Sequence, residues 1–207
     1  MTVRKGEPWG MPGPLPPDGV VVTGDAEAGA VVAEARAAGR PCPPIGLLGG
    51  DLWRTLGGIP GGDFGGEERL RAGRGAVFPV DLGILETDGE ERPFVAHVVA
   101  RSWAWGDVYL ALNAQWLGPW NVGPRAHPGD GRLDTYRARL GPRDRLQVRS
   151  RLPLGSHLPH PAITERRASE LEVDLGRPLA VTVDGVRVGA HRHLVVRAIP
   201  DALTVVV

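Results

Sequence analysis

Two stretches place a glycine–aspartate step where an apolar run gives way to a helical pattern: VVVTGDAEAG at residues 20–29 and IGLLGGDLWRTLGG at 45–58. The residues with chemical potential are Gly24 and Asp25 in the first and Gly49, Gly50 and Asp51 in the second. A glycine-rich strand–helix corner lets backbone N–H groups approach a phosphate, because no Cβ stands in the way. The same residue types also serve an ordinary corner, where an aspartate caps the helix that follows. The acid at position 27 favours the second reading. It complements the positive end of a helix and leaves less room for an anion. Asp51 is read the same way, as a cap for the short helix holding Trp53 and Leu56.

Other residue groupings are weaker. His157 with His160, and His191 with His193, are spaced closely enough to suggest a metal. Pro159 and Pro161 break any helix for the first pair, Arg192 flanks the second, and no cysteine or glutamate cluster completes either set. Cys42 is the only cysteine, so neither a disulfide framework nor a thiolate cluster is available. Trp103, Trp105, Trp116 and Trp120 are either core packing or the lining of an apolar cleft.

These residues need elements to hold them. Residues 1–19 are rich in proline and glycine and read as an extended arm that Trp9 pins to the body. Val20–Val22 and Ile45–Leu48 read as buried strands. Ala28, Val31, Val32, Ala35 and Ala38 recur at helical spacing after Asp25, and Gly39 stops the helix. This β-α-β-α unit calls for a parallel sheet. GGIPGGDFGGEE (57–68) is a linker, so the expected division is 1–62 and 63–207. Short strands follow at 76–82, 94–100, 108–112, 133–140, 168–173, 179–183, 194–198 and 203–207, with Asp-Gly hairpin turns in 87–91 and 183–189. A brief helix falls in 143–152. The expected fold is therefore α/β plus all-β: a small truncated three-layer-type α/β module followed by an antiparallel β-sandwich-like domain.

Lysine plus arginine and aspartate plus glutamate each number 24, so no net field draws the chain to nucleic acid. Lys5 is the only lysine, an arginine bias expected of a GC-rich bacterial genome. Neither a signal-peptide core nor a bilayer-length apolar run is present, which points to a cytoplasmic protein without a transmembrane segment.

Several motifs in order give the chain a family resemblance. FPVDLGIL (78–85), NAQWLGPWNVGPRAHPGDGRLDTY (113–136), GSHLPHPAI (155–163), LAVTVDGVRVG (179–189) and LVVRAIPDALTVVV (194–207) resemble the diacylglycerol/sphingosine-type lipid kinase superfamily, its bacterial YegS-like branch in particular. The resemblance implies an ATP- and Mg²⁺-dependent transfer of phosphate to a lipid hydroxyl between a nucleotide domain and a β-rich lipid-binding domain. It implies a nucleotide-binding role for Gly24, Asp25, Gly49, Gly50 and Asp51, a general-base role for Asp184, and a divalent-cation role for Asp130. Plain Asp-Gly turns explain Asp184 and Asp130 equally well, and Asp81 suits a structural hydrogen bond.

The chain departs from the family pattern where chemistry would matter. Ala26 and Glu27 replace a glycine and a threonine of the phosphate loop, and Val186 replaces an acid. The expected protein is a catalytically impaired homologue that binds a lipid or other amphipathic molecule without a cofactor. The alternatives are an active ATP-dependent lipid kinase, completed by a second subunit, and a partner-binding scaffold that forms a homodimer.

Overall fold

The computed structural model describes residues 9–60 and 66–207. Residues 1–8 of the expected arm and the expected boundary at 62 and 63 lie outside that range. The chain opens with β1 (Met11–Gly13) and β2 (Val20–Val22), then α1 (Asp25–Ala37), β3 (Ile45–Leu47), α2 (Gly50–Thr55) and α3 (Gly66–Arg71). The remainder is dominated by strands: β4 (Gly75–Thr87), β5 (Glu90–Phe94), β6 (His97–Arg101), β7 (Asp107–Leu112), β8 (Trp116–Leu117), β9 (Trp120–Asn121) and β10 (Leu133–Arg139). After them come α4 (Pro142–Arg151), a 3₁₀ turn (Leu152–Leu154), β11 (Ile163–Ala168), β12 (Glu170–Val183) and β13 (Val186–Val206).

Helix α1 forms because Ala28, Val32 and Ala35 stack on one buried face. It ends where Gly39 turns left-handed (φ +62°) and the Arg40 N–H reaches back to the Ala35 carbonyl. Strands β2 and β3 pair in parallel, and β3 continues in parallel onto Val205 and Val206 of β13. One apolar cluster accordingly joins Val22, Val32, Leu47 and Leu52 to Val80, Ile84, Val95 and Leu203. Trp9 anchors the arm through an indole N–H donated to the Pro79 carbonyl at 3.1 Å and a ring contact with Phe78 at 4.8 Å.

The antiparallel part runs in the order β1-β4-β13-β12-β6-β7-β10-β11. Its long strands are bent rather than broken. The segments expected at 168–173 and 179–183 belong largely to one strand, β12, and those at 194–198 and 203–207 to another, β13. Register shifts between Asp174 and Leu179 and between Ile199 and Leu203 mark the bends. Bending rolls the sheet around Leu85, Phe94, Val98, Tyr109, Leu175 and Val196. Asp88-Gly89 and Asp184-Gly185 make left-handed turns between long strands, as the sequence predicts. Helix α3 begins in the last three residues of the segment read as linker and runs past it to Arg71, anchored by buried Leu70. No helix among the described residues is long and apolar enough to cross a membrane.

Candidate functional site

The two glycine–aspartate corners pack against each other. Gly24 holds the cap position of α1 in extended conformation, and Asp25, the first helical residue, turns its carboxylate away from its own helix. It accepts instead from the N–H groups of Asp51 (2.5 Å) and Leu52 (3.1 Å), the open donors at the start of α2. The expectation that Asp25 caps α1 is thereby corrected. The carboxylate is buried against the start of α2, whose N–H groups take up both of its oxygens. The glycines at the second corner make this approach feasible. A Cβ on Gly50 (φ +99°) would lie 2.6 Å from Asp25 Oδ1, and one on Gly49 would lie 2.5 Å from the Thr23 carbonyl oxygen. A Cβ on Gly24 would meet nothing within 4 Å.

Asp51 does not cap α2 either. Its Oδ2 meets His97 Nε2 at 2.8 Å, and its Oδ1 accepts the Gly118 N–H at 2.8 Å. His97 begins β6 and is buried, with Nδ1 unpartnered among the described residues. Burial opposes a charged imidazole here. The hydrogen bond to Asp51 and the charges of Asp184, Asp51 and Asp25 outweigh it, holding His97 above its ordinary pKa. Asp25, Asp51 and His97 each bring one potential ligand atom to within 4.8 Å of the others, so a divalent ion has three donors to choose from. Both Asp25 oxygens are already engaged by N–H donors.

Asp184 joins this group from the β12–β13 turn. Its Oδ2 accepts from Val95 N–H (2.8 Å) and its Oδ1 from Ala96 and His97 N–H (both 2.9 Å). Helix α1 closes over it, since a Cβ on Gly29 would sit 3.2 Å from Asp184 Oδ2. Burial pushes the carboxyl up to about 6 despite His97 and the backbone donors. The carboxylate thus ties the β12–β13 hairpin to the start of β6.

Glu27 occupies the mouth of the first corner. Its Oε2 accepts from the Thr23 N–H (2.7 Å) and the Thr23 hydroxyl (3.0 Å), which holds its carboxyl below the usual range.

Asp81 and Asn113 form a second buried polar node. Asp81 accepts from the N–H groups of Gly131 (2.6 Å) and Asp201 (2.9 Å), while the Asn113 amide donates to the Asp81 and Val95 carbonyls. Nearby, Asp130 faces the Arg167 guanidinium and accepts the Arg132 N–H at 3.0 Å. Asp134 is also beside Arg167, at 3.7 Å, and burial pushes its carboxyl up to about 6. A cation of the chain's own therefore already faces Asp130.

An apolar cavity of about 390 Å³ lies over the outer face of β7, β10 and β11 and under α4. Trp105, Leu110, Trp120, Val122, Tyr136 and Val148 line it. Of the four tryptophans read as candidates, Trp105 and Trp120 are in this wall, edge to face at 6.1 Å. Trp116 stacks instead under the Arg54 guanidinium at 3.3 Å, and Trp103 is exposed. The wall also carries His157 and Tyr136, whose Nδ1 and Oη have no hydrogen-bond partner among the described residues. Burial lowers the His157 pKa, partly offset by its bond to the Val122 backbone, so the ring is neutral. The β8–β9 ribbon serves both places: Leu117 and Trp120 line the cavity while Gly118 bonds Asp51.

Among the described residues, neither histidine pair joins a metal-ligand group. His160 accepts the Ala162 N–H, and His191 pairs with Asp88 at 2.8 Å. Sequence reasoning missed His97, whose signal is a lone imidazole inside the apolar run VAHVVA, and Tyr136.

Residues 85–207 match the family described as the YegS C-terminal NAD kinase beta sandwich-like domain, well over half of the chain. The chain belongs to this family. Its fold is also that of larger proteins. A diacylglycerol kinase from Bacillus anthracis str. Sterne superposes with TM-score 0.61 at 15% identity, covering 91% of this chain and 75% of that one. A second structure from that strain, described as a candidate diacylglycerol kinase, gives TM-score 0.66 at 15% identity over 91% and 77%. At such identity the likeness shows the fold alone. A comparison with curated proteins gives no match.

Proposed function

We propose that this lipid kinase homologue is catalytically impaired and binds a lipid or other amphipathic molecule in the cavity beneath α4. The observation that carries the first half is the grip of Glu27 on Thr23. A phosphate at this corner would need those two donors, and would have to displace a carboxylate to reach them. The second corner supports the same reading, since Asp25 takes the Asp51 and Leu52 N–H groups that an anion would use. The residues present therefore fit Mg²⁺-ATP poorly.

Asp184 supports impairment as well. A general base must reach the proton it removes. Its oxygens take three backbone donors and lie under α1. We read it as a structural staple.

The second half rests on the cavity. Its volume falls within the roughly 300–1,000 Å³ of small-ligand sites, and its wall is chiefly apolar with a few polar atoms. Tyr136 offers a hydroxyl and neutral His157 a ring nitrogen, both buried and without a partner among the described residues. Unpaired buried polar atoms cost stability until something pairs them, so a chain bearing one uncharged polar group suits this wall. Asp134 and Glu165 both act on Tyr136 as negative charges, which disfavours a carboxylate at that end.

Titration calorimetry with Mg²⁺-ATP, run beside native mass spectrometry of the purified chain, tests the reading. Expected are no heat of nucleotide binding and a co-purifying lipid mass. Robust phosphate transfer to a diacylglycerol or sphingoid acceptor, abolished by Asp184→Asn, would support the active-kinase alternative instead. An empty cavity with no retained lipid would favour the scaffold.

A further inference from the structure

The loop at 128–131 is held from two sides. On one, buried Asp81 donates its N–H to the Pro128 carbonyl at 2.7 Å and accepts the Gly131 N–H at 2.6 Å. On the other, a single guanidinium, that of Arg167 on β11, reaches two acids. It pairs with Asp130 of the loop and lies 3.7 Å from Asp134, its direct neighbour across the β10–β11 ladder. Asp134 is buried, and neither of its oxygens has a hydrogen-bond partner among the described residues. Glu165 brings a third negative charge to this end of the sheet and Arg125 a second positive one. The family resemblance gives Asp130 a divalent cation, and the residues present do not fit one. Calcium takes about six to eight oxygen ligands. Here two carboxylates converge; one Asp130 oxygen is taken by the Arg132 N–H, the Pro128 carbonyl by Asp81, and Arg167 faces the other Asp130 oxygen. Among the described residues, the only group of three or more candidate ligand side chains lies elsewhere, at Asp25, Asp51 and His97.

We infer that Arg167 is the resident cation of this site: its guanidinium stands in for a divalent ion, and removing it opens a calcium site. The charge balance supports the exchange. With Arg167 in place, Asp130, Asp134 and Glu165 face two arginines. Without it they face Arg125 alone, and the excess of two negative charges is what one divalent ion cancels. Asp134 then supplies oxygens that no N–H donor occupies. The Arg167 side chain is 43% exposed, so water follows an ion into the vacated place, and a hard cation keeps such waters as ligands. A cation built into the chain cannot be chelated away. The loop at 128–131 therefore stays fastened to β10 and β11 whatever the calcium level. The inference stands whether or not the cavity beneath α4 holds a lipid.

The test is scanning calorimetry of the full chain in EDTA and in about 10 mM calcium chloride, with potassium chloride matching the ionic strength so that binding is separated from screening. The parent should melt at the same temperature in both. Arg167→Ala should melt about 3–6 °C lower in EDTA, where two acids lose their shared partner. Calcium should then shift its folding equilibrium about tenfold toward the native state, as a millimolar site does at this concentration. Arg167→Lys keeps the charge and should stay indifferent to calcium. Adding Asp130→Asn to Arg167→Ala should abolish the calcium response. A parent that calcium stabilises overturns the inference. So does an Arg167→Ala chain indifferent to calcium, a response that survives Asp130→Asn, or a lysine variant that responds as the alanine one does. Should Arg167→Ala not fold in either buffer, Arg167→Gln, which keeps most of the side-chain stem, carries the same comparison.

Discussion

Asp184→Ala tests whether the aspartate is a staple or a base. The substitution strips the acceptor from three buried N–H groups, those of Val95, Ala96 and His97. A buried donor left unpaired costs about 1–3 kcal/mol. Three of them give roughly 3–9 kcal/mol, and water admitted beneath α1 brings the expected loss to the lower half of that span, about 4 kcal/mol. Alanine also tolerates the left-handed backbone at this position (φ +47°) less well than aspartate, at about 1 kcal/mol. For a chain of 207 residues, each kcal/mol moves the melting temperature by roughly 2–4 °C, so the variant should melt about 10–20 °C below the parent. Asp184→Asn keeps an acceptor for two of the donors and tolerates the turn, and should cost about 1–2 kcal/mol. Scanning calorimetry of the three proteins decides the matter. Melting of Asp184→Ala within 2 °C of the parent would refute the staple and return Asp184 to the list of candidate bases.

Three further outcomes are expected. The double variant Ala26→Gly with Glu27→Thr frees the Thr23 donors, and should show a calorimetric heat with Mg²⁺-ATP that the parent lacks. Ala138→Phe fills part of the cavity and should weaken displacement of a fluorescent acyl probe at least tenfold, at a cost of about 1–3 kcal/mol for overpacking. The third outcome concerns pH. His97 and Asp184 both bind protons more tightly folded than unfolded, so both contributions fade as pH rises. Asp184 loses its share between its ordinary value near 3.8 and about 6, and His97 loses its share only above 6.5. Denaturant titrations of His97→Gln and the parent, run from pH 6 to 9, should therefore converge at the alkaline end. A gap that stays constant would exclude the imidazole as a source of pH dependence.

Much of the architecture was legible because it rests on local patterns. Ala28, Val32 and Ala35 mark a helix by spacing, Gly39 marks its end, and Asp88-Gly89 and Asp184-Gly185 mark hairpins through their left-handed backbones. The length of β12 and β13 was not legible. A bulge interrupts the alternation on which a strand is recognised, although hydrogen bonding resumes beyond it. At the candidate site, residue types pointed to Asp25, Asp51 and Asp184, but not to their partners. Asp25 lies 26 residues from the N–H it accepts, and Asp184 lies 89 from Val95. Nothing along the chain encodes which helix start a carboxylate will cap. His97 stayed hidden because a lone histidine in an apolar strand is ordinarily a core residue.

The placement of acids at the two corners has a further physical meaning. A strand–helix corner built to receive phosphate exposes N–H groups that remain unsatisfied when the ligand leaves, and the positive ends of both helices then face each other without compensation. In this chain Glu27 and Asp25 supply the missing negative charge permanently. The fold gains stability that an empty nucleotide site would lack, and the same carboxylates stand in the way of a nucleotide. Restoring the loop should therefore trade one property for the other. If Ala26→Gly with Glu27→Thr acquires nucleotide affinity, its ligand-free form should melt below the parent, and saturating Mg²⁺-ATP should recover the loss by mass action. A variant that binds nucleotide yet melts at the parental temperature without it would show that Glu27 contributes nothing to the resting fold, and the account of its role at Thr23 would fail with it.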